Sequence, residues 1–234
     1  DHLSGDCGQR KARSHCSAVL IRSYPFHVGQ RQNGRELGVH PLHCSTMSEG
    51  AETTGALSNV EIEHKFLVDH GFDYEGWVVA CQALSPDREK QVRVLDTYYV
   101  PVHENAWIYR HRYDEEIQQL TVKSRGGDTE VRTEINLDLT GNDQAAKVSA
   151  FMATLQIEER HEVVKQIHVF DFPDCEIVHY VAKCGSRVAS CVEFEAIGAT
   201  SVEGALAVLQ HYESALGFDP VKRTKINLFD LLVG

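Results

Sequence analysis

The chain has 234 residues, 42% of them hydrophobic, with 23 Lys/Arg against 34 Asp/Glu for a formal net charge of −11. That length and apolar share suit one large domain or two small ones, and the acidic balance argues against a general nucleic-acid binder. Seven cysteines, an odd number with no C-x-x-C pair, indicate neither a disulfide framework nor a zinc ribbon.

A reducing, cytoplasmic setting follows as the expectation. No apolar run reaches membrane-span length and no signal-peptide core is visible, so no membrane contact is expected. Residues 1–46 hold six Lys/Arg against three Asp/Glu, lack periodicity and are rich in His, Cys, Arg and Gly. Residues 1–58 are therefore expected to be a disordered leader and linker, with Met47 a possible true start. The domain proper is expected over residues 59–234.

The opening strand, about Asn59–Val68, contains Val60-Glu61-Ile62-Glu63-His64-Lys65-Phe66-Leu67. At a strand's period of two, Glu61, Glu63 and Lys65 share one face. Val60, Ile62 and Phe66 share the other, with His64 as a polar exception. By itself such a face either meets solvent or lines a polar cavity.

An amphipathic helix is expected at Tyr74–Leu84, ended by Ser85-Pro86-Asp87. Strands follow at Gln91–Tyr99, Trp107–Tyr113, Gln119–Ser124 and Glu130–Leu139. Asn142 and Asp143 can cap a helix over Gln144–Leu155. Strands return at Glu159–Phe170, Glu176–Ala182 and Ser190–Ile197. A last helix, Val202–Leu216, is read as opened by a capping box at Thr200-Ser201-Val202-Glu203 and stopped by Gly217. The tail from Lys222 to Phe229 is basic, then apolar.

Charge alternates with apolar residues on five strands: Glu61/Glu63/Lys65, Arg110/Arg112, Arg132/Glu134, Glu193/Glu195 and, less cleanly, Lys123 with Thr121. One such strand is a solvated face. Five of them, with helices able to cover the apolar side, predict an α+β fold. Its centre is a closed or nearly closed antiparallel β-barrel of about eight strands, wet inside. A lumen with both signs must balance them. Carboxylates can share a divalent cation and Lys/Arg can meet phosphate oxygens, so a polyphosphate bound with Mg2+ or Mn2+ is the implied partner.

These residues carry a resemblance. The Glu-x-Glu-x-Lys strand resembles the hallmark of the CYTH superfamily, the triphosphate tunnel metalloenzymes. An Asp-Thr-Tyr-Tyr strand, an Arg-x-Arg strand, a strand ending in Lys, an Arg-x-Glu strand and a late Glu-x-Glu follow in that family's order. The resemblance implies a divalent-metal-dependent triphosphatase acting on a small molecule such as inorganic tripolyphosphate or thiamine triphosphate. It implies metal ligands at Glu61, Glu63, Glu134, Glu193 and Glu195, and catalytic phosphate contacts at Lys65, Arg110 and Arg112. Further substrate-binding positions would be Lys123, Arg132, Arg160, Lys183 and Lys225.

One feature departs from the family pattern. Members usually place an aspartate on the strand before the late Glu-x-Glu, and Glu176–Lys183 has none. His179 or Glu176 could stand in, or Lys183 could supply charge in place of a metal; Asp171 and Asp174 fall in the preceding turn. The alternatives are a class IV-type adenylyl cyclase and a non-catalytic polyphosphate- or nucleotide-binding module. Monomer and homodimer both remain open.

Overall fold

The computed structural model describes residues 59–101, 106–114, 116–125, 130–157 and 159–234. The expected leader and Met47 lie outside the described residues. Eight strands form a closed barrel: β1 (Val60–Leu67), β2 (Arg88–Val100), β3 (Trp107–Tyr113), β4 (Gln118–Ser124), β5 (Val131–Asp138), β6 (Glu159–Asp171), β7 (Cys175–Cys184) and β8 (Arg187–Ala196). Around the barrel the order is β1-β5-β4-β3-β2-β6-β7-β8, every pairing being antiparallel.

Two runs of hairpins, β2–β5 and β6–β8, join along β2 and β6, which pair from Arg88↔Asp171 to Val100↔Glu159. The first strand closes the ring between β5 and β8, with Glu61 opposite Arg132 and Glu63 opposite Glu195. Closure leaves these strands without free edges, and alternation then assigns each side chain to the lumen or the outer face.

The outer apolar faces need cover. Helices α1 (Tyr74–Ala83) and α3 (Val202–Ala215) supply it for β1 and β6–β8. Ile62, Phe66, Phe170, Ile177, Val192 and Phe194 pack there with Trp77, Cys81, Ala205 and Leu209. Helix α2 (Ala145–Thr154) places Val148 and Met152 against Tyr99 and Leu120. His64, the polar exception on β1, is fully buried beneath α3. Its Nδ1 lies 2.7 Å from Glu213 Oε1, and Glu213 also accepts from Arg223. The exception is thus a polar tie between β1, α3 and the C-terminal segment.

Two helix starts differ from expectation. The cap of α3 is Ser201, whose hydroxyl accepts from Gly204 N–H, so Thr200 is not the cap and the box is not formed. The cap position of α2 is Gln144, while Asp143 accepts from Ala145 N–H. Gly217 does end α3, in the left-handed conformation at φ 75°. A short helix, α4 (Leu228–Leu232), lies across one end of the barrel. There Leu228, Phe229 and Leu232 pack among Tyr98, Val100, Ile108, Tyr180, Ala182 and Cys191, and Arg125 meets Asp230 at 2.6 Å.

Candidate functional site

The barrel encloses a cavity of about 270 Å³, near the small end of ligand sites, which run roughly 300–1,000 Å³. Its wall includes Glu61, Glu63, Lys65, Arg110, Arg112, Lys123, Arg132, Glu134, Glu193 and Glu195. Ten of the thirteen residues singled out from the sequence are brought together here.

The other three lie elsewhere, for reasons of strand parity. On β6 the lumen positions are Lys165, Ile167 and Val169. Arg160, five residues before Lys165, therefore points outward, exposed and ion-paired with Glu162. On β7 the lumen takes Glu176, Val178 and Tyr180, which sends Lys183 to the exposed outer face. Lys225 lies outside the cavity wall, with Nζ 3.0 Å from Glu130.

The lumen is sorted by charge. On β3 and β4, Arg112 makes a bidentate contact to Asp96 at 2.9 and 3.0 Å. Arg110 is held by Thr121 Oγ1 at 3.1 Å, and its buried Nε–H meets no acceptor among the described residues. Lys123 reaches Glu61 at 2.8 Å and also pairs with Glu134. Asp96, fully buried, gains a second cation from Lys165 Nζ at 2.8 Å. Burial opposes ionisation of Asp96, but Arg112 and Lys165 outweigh it and hold the carboxyl well below the usual carboxylate range.

The opposite seam, β1 with β8 and β7, is built from acids. Glu61 is gripped by Arg132 and Lys123; these outweigh burial and keep it strongly ionised. Lys65 lies 2.9 Å from Glu193 and 3.2 Å from Glu63. Burial works against Glu193, yet Lys65 and Lys165 bring it down to about 2. In the next row Glu63 is held by Arg132 at 2.7 Å as well as by Lys65, whereas Glu195 and Glu176 have no ion-pair partner among the described residues. Glu63 faces Glu195 across β1–β8, Glu195 faces Glu176 across β8–β7, and Glu176 faces Asp171 across β7–β6. Burial, then the neighbouring Glu193, raises Glu63. Burial, then Glu61 and Glu63, raises Glu195 well above the usual range. Burial and Asp171 push Glu176 up to about 7.

Of the two side chains that could stand in for the missing aspartate, Glu176 faces the lumen. His179 points outward, its ring stacked on Phe72 and its Nε2 3.0 Å from Ser190 Oγ. Burial, then the neighbouring His168, lowers His179 to about 4, so it carries no charge there at neutral pH.

Lys165 and Asp96 were missed as site residues. The signal existed: Asp96 sits between Val94 and Tyr98 on one face of β2, an acid within an apolar run. Lys165 was hidden because Val163 and Val164 before it are apolar on both faces.

Among the described residues no three His, Cys, Asp or Glu side chains converge as a ready metal site. The donor chemistry nevertheless suits a hard divalent cation. The carboxylates are oxygen ligands gathered in the lumen, and in the Glu63–Glu195–Glu176 row burial first, then neighbouring acids, disfavours ionisation until a cation is present.

No protein-family model and no curated protein matches the sequence. Solved structures do match in fold. The PH1012 protein from Pyrococcus horikoshii OT3 aligns with a TM-score of 0.58 at 15% identity, over 74% of this chain and 99% of its own. A conserved hypothetical protein from Pyrococcus furiosus gives 0.56 at 18%, over 74% and 99%. A Bacillus halodurans protein provisionally described as an adenylate cyclase gives 0.50 at 18%, over 75% and 100%. The likeness is one of fold, and the closed eight-strand antiparallel barrel is the fold that the CYTH resemblance implies.

Proposed function

We propose that the barrel binds small molecules carrying a triphosphate and hydrolyses them with a divalent cation, Mg2+ or Mn2+. One observation carries this reading. A single lumen holds a buried cationic donor without an acceptor among the described residues, Arg110 Nε, and two adjacent half-buried acids, Glu195 and Glu176, with no ion-pair partner among the described residues. A polyanion chelated to a divalent cation meets both needs, whereas either ion alone meets one. The overall charge of −11 does not oppose it, because the local field of the lumen governs binding there.

In this reading Arg110, Arg112 and Lys123 hold the phosphate oxygens from the β3–β4 side, and Thr121 fixes the angle of the Arg110 guanidinium. Lys65 and Arg132 contact phosphate from the β1–β5 side while keeping Glu61, Glu63 and Glu193 in place. Glu61, Glu63, Glu193 and Glu195, with Glu134 and Glu176 beside them, are the residues that would hold the cation. When bound, the cation neutralises charge on the phosphate oxygens and acidifies water. The protein's part is positioning and electrostatic stabilisation, as in other phosphoryl transfers.

The test is inorganic phosphate release from tripolyphosphate, thiamine triphosphate and ATP, each with Mg2+, Mn2+ or EDTA. Release is expected only with a divalent cation. Arg110→Ala and Glu63→Gln are each expected to lower it by at least ~10²-fold with unchanged melting behaviour. Rates near wild type in either variant overturn the assignment. Cyclic AMP formed from ATP without phosphate release would instead indicate a cyclase. A second reading, a non-catalytic polyphosphate binder, is favoured by the carboxylates' engagement with Lys and Arg, no acid triad converging among the described residues. Binding without turnover is its mark.

A further inference from the structure

The lumen wall is not polar all round. On β2, β6 and β7 the residues facing the cavity include the apolar set Val92, Val94, Ile167, Val169 and Val178 with Tyr98 and Tyr180, bordered by the charged Lys90, Lys165 and Glu176. The apolar set forms one continuous patch, because Val92 pairs across to Ile167, Ile167 to Tyr180, and Val169 to Val178. The patch runs into the closed end of the barrel, where Leu228 and Phe229 of α4 also face the cavity.

Barrel packing alone does not account for this wall. Val92, Ile167 and Val178 are only half-buried although their side chains point inward, so apolar surface stands open to the lumen. By strand order the patch faces β1, β5 and β4, the strands of Glu61, Glu63, Arg132 and Lys123. The cavity therefore has a charged half, and a half that is aliphatic at its centre with Lys90, Lys165 and Glu176 at its margins.

Apolar side chains offer phosphate oxygens no hydrogen bond, and pressing a charged phosphoryl group against them removes water without compensation. Inorganic tripolyphosphate presents charged oxygens on all sides. It gains nothing from the aliphatic patch of this wall. A neutral ring or other apolar group joined to the triphosphate would gain by covering it.

We infer that the substrate is an organic triphosphate ester, with its uncharged group lodged against the β2–β6–β7 wall and its phosphates against the charged half. The inference rests on the triphosphate reading above and narrows it. Val92, Ile167 and Val178 then set specificity without touching the reacting phosphate, and inorganic tripolyphosphate is a poor ligand.

The test is calorimetric titration of the full chain in EDTA, which suppresses turnover and handicaps every triphosphate alike. The probes are inorganic tripolyphosphate, ATP and thiamine triphosphate. At least one organic ester is expected to bind tenfold or more tightly than tripolyphosphate. The Val92→Thr/Ile167→Thr double variant, close in shape but polar, is expected to lose fivefold or more for that ester and to keep tripolyphosphate within twofold. A wild-type protein that binds tripolyphosphate as well as or better than both esters overturns the inference, as does a double variant that weakens all ligands in proportion. Both failures leave the triphosphate reading standing. Binding of none of the three overturns that reading as well. The wild-type comparison decides the matter even if the double variant folds poorly.

Discussion

On β1 the lumen face reads Glu61, Glu63, Lys65; on β6 it reads Lys165, Ile167, Val169. Stepping across β8 and β7 from Lys65 passes Glu193 and Val178 and arrives at Val169. Within three strands the wall changes from ion-paired to aliphatic. The β1 side holds buried charges that persist only because each has a partner or awaits one. The β6 side holds surface that needs no partner but is better covered. In the reading proposed above, most phosphate and cation contacts fall to the first and choice among ligands to the second.

Lys165 sits at the border between the two, and substituting it should break the contrast most clearly. Its Nζ contacts Asp96 and lies 5.3 Å from the centre of the Tyr180 ring. It is the lumen cation of β6, the place assigned from the sequence to Arg160. Lys165→Gln is expected to reduce triphosphate hydrolysis by ~10²-fold, while Arg160→Gln stays within twofold of wild type. Steady-state phosphate release measures both. Equal losses would mean that inward placement does not decide function on this strand.

The contrast also explains what was legible in the sequence. Where a strand alternates charge with apolar residues, as in β1, β3 and β8, period two separated lumen from exterior without ambiguity. Glu61, Glu63, Arg110, Arg112, Glu193 and Glu195 all fell on the lumen face. The closed barrel was readable for the same reason, while β6 and β7 were read as strands from their β-branched and aromatic residues. Strand β6 gave no such signal, because Arg160 and Glu162 face outward while His161 alternates with them inside a uniformly polar run. Lys165 then follows two valines, so nothing marks the lumen face. On β7 the acid was present at Glu176, but it stands at the first turn of the strand, where its side depends on register against β6 and β8. The outward turn of His179 depends on Phe72, Tyr74 and Trp77 stacking around it. That contact joins residues about a hundred positions apart, beyond the reach of a local pattern.

A smaller effect would show that the acid seam is costly until a ligand arrives. Glu176 titrates at about 7 in the folded barrel, raised first by burial and then by Asp171, against 4.5 when unperturbed. Raising an acid's pKa on folding adds relative stability that is complete below about pH 4.5 and is lost as pH climbs through 7. Above that point the folded chain carries a half-buried carboxylate beside Asp171 and Glu195. Glu176→Gln removes the charge while keeping the shape. It is expected to stabilise the protein by about 1–3 kcal/mol at pH 8 and by nearly nothing at pH 4.5, as read from urea unfolding midpoints at the two values. A variant equally stable or less stable than wild type at pH 8 would mean that the row is already balanced, and the case for a cation there would weaken. The same comparison with Mg2+ and triphosphate present should shrink or reverse the gain, because only the wild-type carboxylate then has a cation to meet.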